Sequence, residues 1–481
     1  MKTLLRSIVE NRLVVLLGYG REGKSTLRML REEVGGYGMI AVADRNQVEV
    51  DDPNVILFTG ETYQQCLDDF DVIIKSPGIV FEDKEQEKRL IAAHKLYSQV
   101  DIFFAAYRDR IIGITGTKGK STTTTLIYHI LKNAGHDVVL AGNIGIPAFD
   151  VVKQIKKDTV IVFELSSHML EFMQVSPHIA CYLNIHEEHL DHYENMAGYV
   201  RAKENIYRYQ KPGDILLINE QMLPKKEDCA SEIISIGYGN IANIPEGMLV
   251  DERYRVVLSE DENPNSYGSP VAYVTIRENR LVMQRGLERE EFEIPVDEIA
   301  LLGEHNYFNI AFAYAVCMGY GLSHDTFVSG LRTYETLPHR LQFVGVVDGI
   351  KYYDDSISTI CDTTISALRS VKDVTTILIG GMDRGIDYQE LISYLSQDRV
   401  AHIVLMADTG KRIYDEISGT DFKRPERLHL VKTLEEAVAY AREVTPRGTS
   451  CVLSPAAASY GIFKNFEERG DVFQALVLGK K

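Results

Sequence analysis

The segment from Ile111 to Thr123 combines the residue types that bind phosphate. It reads Ile-Ile-Gly-Ile-Thr-Gly-Thr-Lys-Gly-Lys-Ser-Thr-Thr, so a β-branched strand runs into a glycine turn that helical sequence follows. Such a turn points backbone N–H groups into one concavity at a helix N-terminus, where phosphate oxygens bind. Lys120 can then reach the β- and γ-phosphates, and Ser121 can ligate Mg²⁺. We therefore predict an ATP site. Its residues are Gly116, Thr117, Lys118, Gly119, Lys120, Ser121 and Thr122.

A second glycine turn, from Gly18 to Ser25, fits two nucleotide-binding patterns. It satisfies G-x-x-x-x-G-K-S, and its Gly18-x-Gly20-x-x-Gly23 also fits a dinucleotide-binding pattern after a strand-like run. Asp44 ends the next strand-like run, roughly where a ribose-binding acid is expected. We interpret the turn as a Rossmann-type turn that takes a nucleotide diphosphate. A strand–helix turn without a ligand and a second ATP site are the alternatives.

Candidate metal ligands follow only the loop at 116–121. Glu164 ends the strand-like run 159–163, where the sheets of P-loop proteins supply a carboxylate to Mg²⁺. The run 186–192 holds three histidines and three acids, but it lacks the H-E-x-x-H spacing of a zinc site. We predict that His189 binds a second Mg²⁺. The alternatives are an ordinary exposed carboxylate at a strand end and a polar loop of hydrogen-bonded histidines.

The composition limits the classes of protein that this chain can belong to. Its 481 residues suggest two to four domains, and a net charge of −17 without a long basic run argues against a nucleic-acid partner. The six scattered cysteines are those of a reduced, cytosolic protein. Neither a signal peptide nor a membrane-spanning apolar segment is found in the sequence. We therefore expect a cytoplasmic monomer without a membrane partner.

Short apolar runs alternate with amphipathic stretches, which predicts an α/β fold with parallel sheets. The section from 220 to 300 is rich in Glu, Asp, Asn and Pro, and there we expect antiparallel strands, solvated loops and a surface turn at 259–263. The predicted strands lie at 13–17, 39–43 and 71–74; at 110–114, 138–140, 159–163, 179–183 and 215–218; and at 342–353, 374–379, 402–406 and 449–453.

Further motifs extend along the chain and, with the loop at 116–121, make it similar to the Mur ligases of peptidoglycan synthesis. The resemblance covers essentially the whole sequence. Its motifs are Gly142-Asn143-Ile144-Gly145, Glu164-Leu165-Ser166-Ser167, His189-Leu190-Asp191, Ala202-Lys203, His305-Asn306-x-x-Asn309, His339-Arg340, Asp355-Ser356, Ser454-Pro455-Ala456-x-Ala458-Ser459 and Phe463-Lys464-Asn465-Phe466-Glu467-x-Arg469-Gly470.

The resemblance implies three domains and an ATP-dependent, ADP-forming acid–amino-acid ligase. Residues 1–107 would form a Rossmann-like domain for a UDP-linked substrate, residues 108–336 a central P-loop domain with a parallel sheet, and residues 337–481 a Rossmann-like domain for the amino acid. The implied reaction adds D-glutamate to UDP-N-acetylmuramoyl-L-alanine through an acyl phosphate. Its partners would be these small molecules and ATP, with two Mg²⁺ ions as cofactors.

The resemblance also implies the roles of single residues. Lys120, His189 and Lys203 would be catalytic, and Lys203 would be carbamylated and hold Mg²⁺ together with Ser121, Glu164 and His189. The UDP-substrate would contact Gly18, Gly20, Gly23, Asp44, Ser76, Gly78 and Asn143. ATP would also contact Asn306, Asn309, Arg340 and Asp355. The incoming amino acid would contact Thr359, Arg384, Ser459 and Phe466.

Several positions depart from the family pattern around the incoming amino acid. Ile357 and Ile360 replace a lysine and an asparagine, Arg384 replaces a lysine, and Met169 stands where a glutamine is common. L-glutamate is therefore the alternative amino acid, because arginine offers a carboxylate a bidentate fork and lysine a point charge. A folylpolyglutamate synthase is a rival of the same class. A nicotinamide oxidoreductase and a non-catalytic nucleotide switch are rivals of other classes.

Overall fold

A computed structural model describes residues 1–34, 40–189, 192–238, 270–418 and 422–479, and three β-sheets organise them. The chain divides into two compact units. The first unit comprises Met1–Ile294 and Tyr307–Leu331 and contains two sheets, and the second comprises Pro295–Asn306 and Arg332–Lys481 and contains one. The predicted α/β class with parallel sheets is confirmed.

The N-terminal sheet has five parallel strands. They are β1 (Val14–Leu17), β2 (Ile40–Asp44), β3 (Val55–Thr59), β4 (Val72–Lys75) and β5 (Leu96–Ser98), arranged in the order β3-β2-β1-β4-β5. All four residues of β1 are buried because the sheet is covered on both faces, as parallel sheets are. Its helices are α1 (Lys2–Val9), α2 (Arg21–Met29), α3 (Lys84–Ala92) and α4 (Gln99–Tyr107).

Nine strands form the second sheet of the first unit. They are β6 (Ile111–Thr115), β7 (Val138–Gly142), β8 (Val160–Glu164), β9 (Ile179–Tyr182), β10 (Ile215–Asn219), β11 (Glu232–Gly237), β12 (Ala272–Arg277), β13 (Arg280–Arg285) and β14 (Glu288–Glu293), in the order β14-β13-β12-β11-β10-β9-β6-β8-β7. The accompanying helices are α5 (Lys120–Asn133), α6 (Ser167–Leu170), α7 (Met196–Arg208), α8 (His305–Gly319) and α9 (His324–Thr333).

The antiparallel strands expected between 220 and 300 are β12, β13 and β14, but β11 pairs parallel with both β10 and β12. The surface turn predicted at 259–263 and the first residue of the strand predicted at 39–43 lie outside the described residues. The central strand β6 is buried throughout, with β8 and β9 on its two sides. The loops that follow β6 and β8 therefore emerge side by side at one edge of the sheet.

The second unit contains a six-stranded sheet. Its strands are β15 (Gln342–Val347), β16 (Ile350–Asp354), β17 (Val374–Gly380), β18 (His402–Met406), β19 (Leu428–Val431) and β20 (Ser450–Leu453), in the order β15-β16-β20-β17-β18-β19. The prediction of a single strand at 342–353 is wrong, because the chain turns at Asp348-Gly349 and forms the antiparallel pair β15–β16. The helices are α10 (Cys361–Ser370), α11 (Gln389–Ser396), α12 (Ala407–Ser418), α13 (Leu434–Val444) and α14 (Phe466–Leu478).

Short helical turns complete the secondary structure. A π-helical turn spans Leu30–Val34, and 3₁₀ turns span Leu67–Asp69, Arg108–Arg110, Ala148–Gln154, Glu220–Met222, Lys226–Asp228 and Pro425–Arg427. Across the described ranges, we find no helix with the length and apolar character needed to span a membrane.

Candidate active site

The loop between β6 and α5 has a backbone conformation that requires glycine at two positions. Gly116 and Gly119 have φ angles of 156° and 84°, and a Cβ on Gly119 would lie 2.4 Å from Oδ1 of Asn309. Helix α5 begins at Lys120, so the N–H groups of its first turn have no carbonyl acceptor within the helix. Ser121 and Thr122 lie in that turn. The loop thus has the geometry of an anion site.

Asn184 fixes this loop, although the sequence analysis did not single it out. Its Oδ1 accepts hydrogen bonds from the backbone N–H of Thr117 at 3.1 Å and of Lys118 at 2.8 Å, and its amide donates to the carbonyl of Lys118. Two amides that were expected to face a phosphate therefore hold the loop instead. The usable sequence signal was a polar residue just after β9, the neighbour of β6.

Two lysine amines meet at one carbonyl oxygen of the loop. Nζ of Lys203 donates to the carbonyl of Gly116 at 2.8 Å, and Nζ of Lys120 donates to the same oxygen at 2.9 Å. Lys203 is only 1% exposed. Burial, and next the charge of Lys120, lower the pKa of Lys203 well below its usual value, while Glu188 and Glu164 oppose the shift. Lys203 is thus not the solvated lysine that its sequence context alone would suggest.

Glu164 is the last residue of β8 and points a carboxylate into the same region. The side-chain amide of Asn143 donates to Oε1 of Glu164 at 2.7 Å. Oε2 of Glu164 is buried, and no described group forms a hydrogen bond with it. Burying a carboxylate oxygen without a partner is costly, so this atom is suited to a cation or a donor.

His189 is joined to the loop through other side chains. Its Nε2 lies 3.5 Å from Oε2 of Glu188, and the hydroxyl of Tyr199 lies 3.4 Å from that oxygen and 3.1 Å from Oγ1 of Thr117. The His189 side chain is 40% exposed and its φ is 58°. Leu190 and Asp191, which complete its motif, lie outside the described residues. Glu188 and Tyr199 were not predicted.

A cavity of about 800 Å³ lies in the first unit between the N-terminal sheet and the loops of the second sheet. Six of the seven residues predicted to contact a UDP-linked substrate line it, and Gly23 does not. These six are Gly18, Gly20, Asp44, Ser76, Gly78 and Asn143. Because Asn143 also bonds Glu164, the cavity ends beside the carboxylate described above.

The turn at 18–23 is built as a Rossmann turn. A Cβ on Gly23 would lie 2.1 Å from the carbonyl oxygen of Gly18, so Gly23 packs the helix against the strand, whereas a Cβ on Gly20 would meet open space. Asp44 accepts a hydrogen bond from the N–H of Tyr19 at 2.8 Å and so also fixes the turn. The hydroxyl of Ser25 donates to Asp150, which argues against a second ATP site.

Three further side chains around the cavity were missed by the sequence analysis. His168 lines the cavity, with its ring 4.9 Å from that of His189, and burial lowers its pKa to about 4. Glu22 also lines the cavity, and burial raises its pKa to about 7. Lys75 is buried nearby, and burial lowers its pKa to about 8. Single residues of these types carry no sequence signal outside their folded surroundings.

Helix α8 carries the two asparagines predicted to contact adenine. Oδ1 of Asn309 accepts a hydrogen bond from Thr123 of α5 at 3.2 Å, which places Asn309 against the phosphate loop. The amide of Asn306, one turn earlier, donates to the carbonyl of Leu302 at 2.7 Å. Both side chains are buried.

In the second unit, Asp355 follows β16 and is buried. Its carboxylate accepts hydrogen bonds from the hydroxyl of Ser454 at 2.8 Å and from the N–H of Leu341 at 3.1 Å. Burial raises the pKa of Asp355 to about 6, against these hydrogen bonds and the charge of Arg340. Arg340 itself is exposed.

Three of the residues predicted to contact the amino acid, Thr359, Arg384 and Ser459, follow neighbouring strands of this sheet, and the fourth, Phe466, begins α14. The guanidinium of Arg384 donates to the carbonyl of Thr359 at 2.9 Å, and Ser459 is buried in the loop after β20. The carbonyl of Phe466 accepts a hydrogen bond from Ser356. A fully buried arginine, Arg469, ties these loops together through Ser356 and Ala457.

Comparison with known proteins assigns the chain to a family. The model of the Mur ligase middle domain matches residues 114–317, and that of the Mur ligase glutamate ligase domain matches residues 339–457. A UDP-N-acetylmuramoylalanine--D-glutamate ligase of Symbiobacterium thermophilum is 35% identical over 88% of this chain and 87% of its own. The chain belongs to the Mur ligase family. A Mur ligase of the same name from Clostridium kluyveri is 30% identical over 89% of this chain and 87% of its own.

Solved Mur ligase structures share the fold. The UDP-N-acetylmuramate-alanine ligase of Thermotoga maritima gives a TM-score of 0.57 at 15% identity, with 98% of this chain and 100% of the other covered. A second solved structure is the UDP-N-acetylmuramoylalanyl-D-glutamyl-2,6-diaminopimelate--D-alanyl-D-alanyl ligase from Acinetobacter baumannii. It gives a TM-score of 0.55 at 14% identity, with 100% of this chain and 98% of the other covered. The resemblance predicted from the motifs is thus confirmed, and the protein is an ATP-dependent ligase of peptidoglycan precursor synthesis.

Proposed function

We propose that this Mur ligase joins D-glutamate to UDP-N-acetylmuramoyl-L-alanine at the expense of ATP. Relatives that are 30–35% identical over nearly nine tenths of the chain carry that name. The observation that carries the proposal is the hydrogen bond between Asn143 and Glu164. It joins a cavity large enough for a nucleotide sugar to a carboxylate beside the phosphate loop, so a substrate in the cavity can present its carboxyl end there.

The chemistry requires activation because a carboxylate is a poor electrophile. The alanyl carboxylate attacks the γ-phosphorus of ATP, ADP leaves, and an acyl phosphate forms. The amino group of glutamate then attacks the acyl carbon, and phosphate leaves with the former carboxylate oxygen. Lys120, in the first turn of α5, would balance the negative charge on the transferred phosphoryl group.

We propose a magnesium site at Glu164, which the chemistry of its buried acceptor supports. Oε2 of Glu164 is a buried acceptor without a described donor, and Ser121, in the first turn of α5, and His189, after β9, would be further ligands. Lys203 is a buried amine whose pKa is lowered, and a neutral amine can take up CO₂ and become an anionic carbamate. Bound Mg²⁺ would neutralise phosphate charge and polarise the phosphoryl group.

The remaining nucleotide contacts are proposed from the resemblance and from packing. Asn309 lies against Thr123 of α5 and Gly119 of the phosphate loop, which supports a role beside the nucleotide. Asn306, Arg340 and Asp355 are proposed to contact ATP. We propose Thr359, Arg384, Ser459 and Phe466 as contacts of the incoming amino acid.

L-glutamate remains a second candidate substrate because of one contact. The guanidinium of Arg384 is held by the carbonyl of Thr359, in the loop where Ile357 and Ile360 replace polar family residues. A planar, oriented guanidinium can select a carboxylate position that a lysine would not.

Incubation of the full chain with UDP-N-acetylmuramoyl-L-alanine, ATP, Mg²⁺ and each glutamate enantiomer separately tests the proposal. We expect ADP and one new amide product from D-glutamate. If only L-glutamate gave a product, L-glutamate would replace D-glutamate as the assigned amino acid. If neither enantiomer gave a product, the result would contradict the proposed substrate. Omitting Mg²⁺ should abolish turnover.

We also propose, from the resemblance to the family, that the enzyme acts as a monomer in the cytoplasm. Size-exclusion chromatography with light scattering checks the oligomeric state. A dimer that loses activity on dilution would contradict it.

A further inference from the structure

Glu22 occupies an unusual position for an acidic residue. It lies in the first turn of α2, directly after the glycine turn, and it lines the 800 Å³ cavity. Its Oε2 is buried, and no described residue donates a hydrogen bond to that oxygen. An ionised carboxylate is costly in such a place, because no described donor compensates for the burial of this oxygen.

The same turn is the place where a diphosphate would bind. The N–H groups at the start of α2 and the positive end of its dipole attract anions. Open space faces Gly20, so a ligand can approach the backbone there. The carboxylate of Glu22 and a bound diphosphate would therefore both lie at the positive end of the same helix. Two negative charges that close together repel each other, so keeping both groups ionised costs free energy.

Other charged groups around the cavity do not remove this conflict. Asp44 accepts hydrogen bonds from the N–H groups of Tyr19 and Asn46, and Arg45 lies 4.0 Å from Glu82. Arg21 precedes Glu22 on the helix, and from the α4 side Gln99 donates to the backbone carbonyl of Glu22, not to its carboxylate. Among the described residues, one cation opposes the rise in the pKa of Glu22.

That cation is Lys75 at the end of β4. Its amine donates to the carbonyls of Ser76 and Pro77, at 3.3 and 3.0 Å, and lies 5.2 Å from the ring centre of Phe172. Burial raises the pKa of Glu22 to about 7, and the charge of Lys75 lowers it by less. Between pH values of about 6 and 7.5, Lys75 stays mainly protonated because its own pKa is about 8.

We propose that Glu22 takes up one proton from solvent when the diphosphate of the UDP-linked substrate binds at the first turn of α2. The protonated carboxyl then carries no charge against the ligand and can donate a hydrogen bond to it. The inference rests on the proposed function, since it requires this cavity to take a nucleotide diphosphate.

Isothermal titration calorimetry of the full chain with UDP-N-acetylmuramoyl-L-alanine, without ATP, tests the proposal. Titrations at pH about 7.5 in two buffers of different ionisation enthalpy give the number of protons taken up. We expect more than about half a proton per ligand, and a Kd that rises about threefold to fourfold between pH about 6 and about 7.5. In Glu22→Gln, both the uptake and the change in Kd should disappear.

Glu82→Gln is the matched control, because it also removes a carboxylate that lines the cavity. It should retain the uptake seen in the wild type. Binding by the wild type without proton uptake, or equal uptake in Glu22→Gln, overturns the inference and leaves the proposed function intact. If the wild type binds the substrate at no pH, the proposed function fails and the inference fails with it. The wild-type proton count decides the matter even if Glu22→Gln does not fold.

Discussion

The amine of Lys203 donates a hydrogen bond to the carbonyl oxygen of Gly116 in the phosphate loop at 2.8 Å. This contact places a nearly fully buried amine next to the predicted phosphate site, and the charge of Lys120 on the same oxygen disfavours its protonation. A buried lysine whose pKa is lowered in this way is a candidate for a role in the reaction, unlike a solvated surface lysine.

Lys203→Ala should lower kcat by at least about 10²–10³-fold, because it removes a group proposed to organise charge around the transferred phosphoryl group. The measurement is steady-state ADP release with all three substrates. Added acetate should restore part of the activity if the lost group acts as a carboxylate-like carbamate.

Arg201→Ala is the control for Lys203, since Arg201 is an exposed residue of the same helix α7. It should change kcat by less than about twofold. Unimpaired ligation by Lys203→Ala would contradict the proposed role. If Lys203→Ala lost activity and acetate restored none of it, the result would contradict carbamylation of Lys203 and indicate that the amine itself acts.

Glu164→Gln should raise the Mg²⁺ concentration needed for half-maximal activity by about 10–100-fold, the range for disturbed metal ligands. The reason is the buried Oε2, which would lose its charge while Oε1 could still accept from Asn143. The measurement is ADP release as a function of Mg²⁺ concentration at saturating ATP.

Asp158→Asn provides the comparison for Glu164, because Asp158 is an exposed acid just before the same strand β8. Its Mg²⁺ dependence should match that of the wild type. An unchanged Mg²⁺ dependence in Glu164→Gln would exclude this carboxylate as a ligand.

The sequence allowed the parallel sheets and the phosphate loop to be predicted because both depend on local patterns. The phosphate loop follows a strand directly, and Glu164 ends the neighbouring strand β8. The structure brings both to one edge of the sheet. The six cavity residues came from glycine spacing, strand ends and family motifs. Local signals of this kind are sufficient for turns and strand ends.

Features that depend on contacts between distant segments could not be predicted. Asn184 takes its significance from hydrogen bonds to a loop far away in the chain, and Glu22 from a buried oxygen without a described donor. The hairpin β15–β16 was predicted as one strand, although Asp348-Gly349 at its turn is a local hairpin signal that the sequence analysis did not use. For Asn184 and Glu22 the deciding factor is the folded surroundings, whereas the turn at Asp348-Gly349 could have been predicted from the sequence.

Arg384→Lys should raise the KM for glutamate by about threefold to tenfold and leave the KM for ATP unchanged. Lysine cannot reproduce the planar fork that the carbonyl of Thr359 orients. The measurement is steady-state kinetics with glutamate as the varied substrate. Arg447→Lys, an exposed substitution of the same kind, should leave all three KM values unchanged. An unchanged KM for glutamate in Arg384→Lys would place the amino acid elsewhere.

The buried pair His339–Asp354 should make the stability of the protein depend on pH. Nδ1 of His339 lies 2.8 Å from Oδ2 of Asp354, and this hydrogen bond raises the pKa of His339 above its usual value. A raised histidine pKa stabilises the fold fully below the unfolded value of about 6.5, and the stabilisation is lost as the pH rises through the folded pKa. His339→Gln should therefore lower the free energy of unfolding by about 1.5–3 kcal/mol near pH 6 and by less above pH about 8.

Urea denaturation at a series of pH values measures this effect. His429→Gln is the comparison, because the ring of His429 stacks on Tyr440 at 3.6 Å instead of pairing with a buried acid. Its effect on the free energy of unfolding reports the loss of a stacked ring without the loss of a pair with a buried acid. If His339→Gln lowered that free energy equally at pH about 6 and above pH about 8, the pKa of His339 would be the same in the folded and unfolded protein, and its contact with Asp354 would not favour the charged ring.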